Sequence, residues 1–156
     1  MTTFQDILAR DGVLVYKTRG VSMEPMLRQN RDLVIIEVPS SRLHKYDVAL
    51  YRRDKDYVLH RVIEVRETDY RIRGDNTYIL ETVPDSAIVG VLTGFQRKGR
   101  MYTLEDRGYQ CYVRLWQVIF PLHCFFVRLC RLASVFVRKT GIFQGSRKTS
   151  GKGGRE

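Results

Sequence analysis

The chain has 156 residues, 44% of them apolar, enough for one domain with a core and an appendage. Its net charge of +10 is uneven: residues 1–110 carry 18 Lys/Arg against 16 Asp/Glu, and residues 111–156 carry 9 against 1. Most of the positive charge therefore belongs to the last third, where it suits an anionic partner. The three cysteines, Cys111, Cys124 and Cys130, are odd in number and form no CxxC pair, which argues against a disulfide framework or a zinc site.

Thr2 or Thr3 is expected to cap a short helix over Phe4–Arg10, stopped by Asp11-Gly12. The first apolar run is too short and too interrupted, by Gln5, Asp6, Arg10 and Asp11, to read as a signal peptide or membrane anchor. Val13–Lys17 reads as a strand leading into Gly20-Val-Ser-Met-Glu-Pro25, a turn bounded by glycine and proline. Leu33–Val38, Asp47–Arg52, Tyr57–Val65, Tyr70–Arg73, Ile88–Arg97 and Met101–Leu104 read as further strands joined by short turns. Asp47–Arg52 and Tyr57–Val65 flank a polar turn and are expected to pair antiparallel. Gly90 and Gly94 mark expected bulges or close backbone approaches in a long strand. The fold class is therefore mainly β over residues 1–110.

Residues 111–139 differ in character. Aromatic and aliphatic residues alternate with arginine at helical spacing, with Pro121 as an interruption. Arg114, Gln117, Arg128, Arg131 and Arg138 fall within roughly a third of the circumference at about 3.6 residues per turn. A basic amphipathic helix on an anionic membrane surface and a helix packed on the β-domain are the two readings. The longest uncharged run, Leu115–Val127, is too short to span a bilayer. Residues 140–156, rich in Gly, Ser, Lys and Arg, read as a disordered basic tail.

Ser22 is the candidate nucleophile, because a tight turn can present its hydroxyl together with backbone N–H groups. Taken alone, the six residues are as well explained by an ordinary surface turn. The chain must also supply a base, and it has three histidines. His44 lies in a polar loop and His123 in the C-terminal apolar segment. His60 lies within the strand Tyr57-Val-Leu-His-Arg-Val-Ile, where alternation sets Val58, His60 and Val62 on one face. A strand holds a base stiffly, which suits proton transfer from a serine. Asp75, in the turn Gly74-Asp-Asn76, and Glu81, in the loop before Thr82-Val-Pro84, are both candidates to orient His60.

Gly20-Val-Ser-Met-Glu-Pro25, Leu59-His-Arg-Val62, Arg73-Gly-Asp-Asn76 and Ile88-Val-Gly-Val91, in this order and spacing, resemble the serine peptidases that comprise signal peptidase I and the self-cleaving SOS repressors. The resemblance covers about Val13 to Phe95 and is nearest to the branch of the endoplasmic reticulum, archaea and some Gram-positive bacteria. That branch uses histidine as base where the others use lysine. The resemblance implies that Ser22 is the nucleophile and His60 the base. It places the family's acids on Asp75 and on Glu81, the second being a glutamate where aspartate is usual. Two family glycines are replaced, in Arg31-Asp32 and Tyr46-Asp47. The short polar lead before the serine replaces the usual anchor.

The resulting expectation is a serine endopeptidase that removes a leader or signal-type peptide from a protein substrate, without metal or organic cofactor. The alternative is an inactive peptide- or membrane-binding module of the same fold. An anionic membrane surface is the expected partner of residues 111–156, at the cytoplasmic face, with a soluble cytoplasmic protein as the other localisation. Nucleic acid ranks last as a partner, since no helix-turn-helix pattern precedes the β-domain.

Overall fold

In the computed structural model, the backbone is described for residues 2–140 and the side chains for residues 2–122 and Phe125. The expected tail lies outside the described residues from 141 onward, as does the side chain of His123. The chain opens with α1 (Phe4–Asp11), capped by Thr3 in a reciprocal box with Asp6 and ended by Gly12 in the left-handed conformation. Strands β1 (Val13–Lys17), β2 (Leu33–Glu37), β3 (Val48–Arg53), β4 (Asp56–Val65), β5 (Asp69–Arg73), β6 (Glu81–Pro84), β7 (Ile88–Arg97) and β8 (Arg100–Thr103) follow, and then helix α2 (Arg107–Thr140). All eight strands join one antiparallel sheet in the order β1-β2-β7-β3-β4-β5-β6, with β8 also on β7. The protein is thus mainly β with a C-terminal helix.

Alternation along the central strands divides the core into two clusters. Val48 and Leu50 of β3 and Leu59 of β4 enter one, with Met23, Met26 and Leu27 from the connection after β1. Ala49 and Tyr51 of β3 and Val62 of β4 enter the other, with Tyr70 and Ile72 of β5. Both faces of β3 are covered, so Val48–Tyr51 is buried without interruption. Gly90 is required where β7 crosses β2: a Cβ there would collide with the Ile36 side chain and lie 3.1 Å from the Glu37 carbonyl oxygen. The β2–β7 register shifts at Ile35/Ile36 beside it.

Two features differ from the sequence-based expectation. Glu81 begins a strand, β6, rather than lying in a loop; four residues ending at proline carry too little alternation to be read as one. Helix α2 begins at Arg107 and runs through Pro121 without a break in helical assignment. The chain divides into two compact units between Leu115 and Trp116. The first turns of α2 belong to the β-domain because Tyr109 and Tyr112 pack against its core and Val113 is buried.

Candidate active site

Ser22 sits on the connection between β1 and β2, and that connection is tied at its neck. The Thr18 N–H donates to the Asp32 carbonyl (3.2 Å), and the Asn30 N–H donates to the Thr18 carbonyl (3.0 Å). Buried Asp32 accepts from the Arg31 guanidinium at 2.6 and 2.7 Å and from the Arg28 N–H at 2.9 Å. Inside the loop, Met23, Met26 and Leu27 are buried, so hydrophobic packing anchors the segment that follows a half-buried Ser22. Truncating Leu27, 1% exposed, to alanine would cost about 2–5 kcal/mol by the usual core penalty. Gly20 has φ +81°, the left-handed conformation that favours glycine, and the Glu24–Pro25 peptide bond is cis.

His60 is held in β4 opposite Ala49 of β3 and is 5% exposed. Gly74 brings it to the serine segment. A Cβ on residue 74 would lie 2.6 Å from the Ser22 carbonyl oxygen and 3.0 Å from His60 Nε2. The Ser22 backbone carbonyl and Nε2 therefore both border the space that glycine leaves open at residue 74. Asn76 fixes the other side of the approach: its backbone N–H donates to the Ser22 carbonyl at 2.7 Å, and its side-chain amide donates to the Val21 carbonyl at 3.2 Å.

The two candidate acids occupy different positions. Glu81 lies on the far side of the imidazole, with Oε1 3.7 Å from Nδ1. The Tyr51 hydroxyl stands between them, 3.2 Å from Nδ1 and 2.9 Å from Glu81 Oε2, and the Arg53 guanidinium donates to Glu81 Oε1 at 3.0 Å. Asp75 is buried and takes both arms of Arg61, Nε and a terminal nitrogen, at 2.8 Å each, with the Tyr112 hydroxyl at 3.1 Å. Arg61 also donates to the Tyr46 carbonyl, the Tyr109 hydroxyl and the Met26 sulfur. A buried pair so hydrogen-bonded ties β4, the Gly74–Asn76 turn, the serine loop and the start of α2 together. His44 is exposed and accompanies Asp47 at the surface.

Burial pushes the His60 imidazole below its ordinary pKa; Glu81 and Asp75 oppose that shift, and Arg53 adds to it. Burial also raises the Tyr51 phenol, reinforced by its bond to Glu81, so the phenol stays protonated. Burial works against the charge of Arg61, but Asp75 outweighs it and the guanidinium pKa is raised.

A cleft of about 600 Å³ opens beside Ser22. Its walls come from Tyr16–Gly20, at the end of β1 and in the loop after it, and from Lys55–Leu59 of β4 and the turn before it, with Met23 and Leu27 as apolar lining. β1 is the last strand at one end of the sheet, and β5 takes up β4 only from Arg61 onward. Phe4 of α1 spans the two walls, its ring centroid 5.0 Å from those of both Tyr16 and Tyr57.

Of the sequence-based candidates Ser22, His60, Asp75 and Glu81, the structure sets Glu81 3.7 Å from Nδ1 of His60, places the Ser22 backbone carbonyl and Nε2 against Gly74, and binds Asp75 to Arg61. Sequence reasoning did not single out Tyr51, Gly74 or Arg61. The Gly-Asp pair carried a signal for Gly74; Tyr51 gave none, since an aromatic residue in a strand is ordinary core. Among the described residues, no group of three or more His, Cys, Asp or Glu is gathered as a metal site. No family model and no curated protein matches this chain.

Proposed function

We propose that the protein is a serine endopeptidase of the signal peptidase I type, with Ser22 as nucleophile and His60 as base. The observation that carries this reading is that the Ser22 backbone carbonyl and His60 Nε2 both lie against Gly74, with a carboxylate oxygen 3.7 Å from the opposite ring nitrogen. Ser22 Oγ attacks the scissile carbonyl and His60 takes its proton. The tetrahedral intermediate collapses with that proton passing to the leaving amine, and water, deprotonated by His60, then releases the acyl group. The Ser22 backbone N–H is the proposed oxyanion donor. An extended peptide laid between β1 and β4 would find strand edges on both sides and an apolar floor. Tyr46 supports the family reading in one further respect. At a position where the family carries glycine, it holds φ +81°, a conformation that glycine adopts without strain. Ser22→Ala and His60→Ala should each abolish cleavage of peptide-library substrates while leaving the thermal transition in place. Cleavage by purified Ser22→Ala protein would refute the mechanism. Peptide binding that persists in the unsubstituted protein with no turnover would favour the inactive binding module.

The proposed partner of the C-terminal segment is an anionic membrane surface, on the cytoplasmic side. Val118, Ile119, Leu122 and Phe125 of α2 are exposed at helical spacing in the most basic part of the chain. No helix of the described residues is long and apolar enough to cross a membrane. Co-sedimentation with phosphatidylserine vesicles, lost on truncation after residue 115 and absent with neutral vesicles, is the expected result. Equal binding to both vesicle types would remove the electrostatic argument.

A further inference from the structure

We infer that Tyr51 is a positioning residue that fixes the tautomer of His60, transmitting the Glu81 carboxylate to Nδ1 through its phenolic hydroxyl. The inference rests on the reading of Ser22 and His60 above. Its basis is a count of protons. An ionised carboxylate only accepts, so at 2.9 Å the single Tyr51 hydroxyl proton belongs to the bond with Glu81 Oε2. What the phenol then presents to His60, 3.2 Å away, is a lone pair. Nδ1 must carry a proton to meet it, and Nε2 is left bare, on the side of Gly74. The result is the tautomer a general base needs, reached without direct hydrogen bonding between imidazole and carboxylate.

The surroundings keep the relay in that direction. Tyr51 is 1% exposed and sits in the cluster with Val62, Tyr70 and Ile72, so its ring cannot turn away without disturbing the core. The Arg53 guanidinium engages Glu81 Oε1 and leaves Oε2 for the phenol. Interposing a hydroxyl also accommodates the 3.7 Å between Nδ1 and the nearer carboxylate oxygen, too long for a direct bond.

Nitrogen NMR of the histidine side chains in the full-length protein, above the His60 pKa, tests the assignment with no substrate. The expected spectrum of the unsubstituted protein has His60 protonated at Nδ1 and bare at Nε2. Tyr51→Phe, which keeps the ring in the core, should populate the Nε2-protonated form. It should also lower kcat by about tenfold or more with KM changed less than about twofold, the split expected when a base is mis-set and binding is intact. Glu81→Gln serves as the second variant, expected to weaken the Nδ1 preference in the same direction. An Nε2-protonated His60 in the unsubstituted protein overturns the proposal. So does a Tyr51→Phe protein with tautomer and kcat unchanged. If Ser22 proves not to be a nucleophile, the NMR result still stands or falls by itself, so the two failures are distinguishable.

Discussion

Gly74→Ala tests the geometry of the site by adding a single methyl group. The new Cβ would lie 2.6 Å from the Ser22 carbonyl oxygen, 3.0 Å from His60 Nε2 and 3.1 Å from His60 Cδ2. Contacts of this kind are essentially never below 3.0 Å, so the backbone of residue 22 or of residue 74 must yield by at least about 0.4 Å. The Ser22 carbonyl has little freedom to do so, because the Asn76 N–H holds it at 2.7 Å. His60 must also give by tenths of an ångström, against its bond to Tyr51. Overpacking of this size costs about 1–3 kcal/mol, which lowers Tm by about 2–4 °C for each kcal/mol in a chain of this length. Because a misplacement of about 1 Å costs about a hundredfold in rate, kcat/KM should fall by roughly ten- to a hundredfold. Differential scanning calorimetry and peptide cleavage read the two effects separately. Gly108→Ala is the control: its Cβ meets nothing within 4 Å in helix α2, so stability should hold or rise by up to about 1 kcal/mol. A Gly74→Ala protein with the parental Tm and kcat/KM would refute the close approach of Ser22, Gly74 and His60.

Two further predictions separate the roles of the acids. Asp75→Ala strands the fully buried charge of Arg61 and should destabilise the fold by about 3–5 kcal/mol, measured by urea denaturation; a loss below about 1 kcal/mol would mean that the pair holds nothing together. The acid limb of kcat/KM against pH should lie below about 6.5, the ordinary imidazole value, because burial depresses His60. Glu81→Gln, which removes a charge that raises the His60 pKa, should move that limb to lower pH, and Arg53→Gln should move it to higher pH. Shifts of the same sign in both variants would contradict the assignment. Stability follows the same linkage: His60 is neutral in both states above about 6.5, and below it the unfolded state takes up the proton first. The contribution of His60 is therefore present above that value and is lost as pH falls through the depressed pKa of the folded state.

Much of the scaffold was legible because its signals are local. Thr3, Asp6 and Gly12 delimit α1 by capping chemistry that needs no tertiary contact. The strands of the β-domain alternate or end at turn residues, and the register of β3 with β4 follows from the short polar turn between them. Signals failed where a property is set by what lies opposite. β6 is defined by its pairing with β5, from Ile72↔Glu81 to Asp69↔Pro84, and has little pattern of its own. The start of α2 at Arg107 includes Gly108, a poor helix former, and is secured instead by Tyr109 and Tyr112 on the core of the β-domain. Pro121 is a helix breaker by intrinsic preference, yet α2 continues on both sides of it.

The ambiguity between Asp75 and Glu81 has the same origin, and its physical content lies in β3. Both acids follow His60 in sequence, and both act on its charge. What distinguishes them is the company supplied by neighbouring strands. β4 carries Arg61 on the face opposite His60, and that guanidinium occupies both oxygens of Asp75. Tyr51 and Arg53, two positions apart on β3, reach Glu81 from the strand beside His60. An acid whose two oxygens are both engaged by a buried guanidinium holds the turn that carries Gly74. An acid gripped at one oxygen by a surface arginine has its other oxygen free to act, through Tyr51, on the imidazole. In the proposed mechanism, structural and chemical duties are divided between the two carboxylates by residues of strands β3 and β4, which is why neither the spacing of the acids nor their chemical type could assign them.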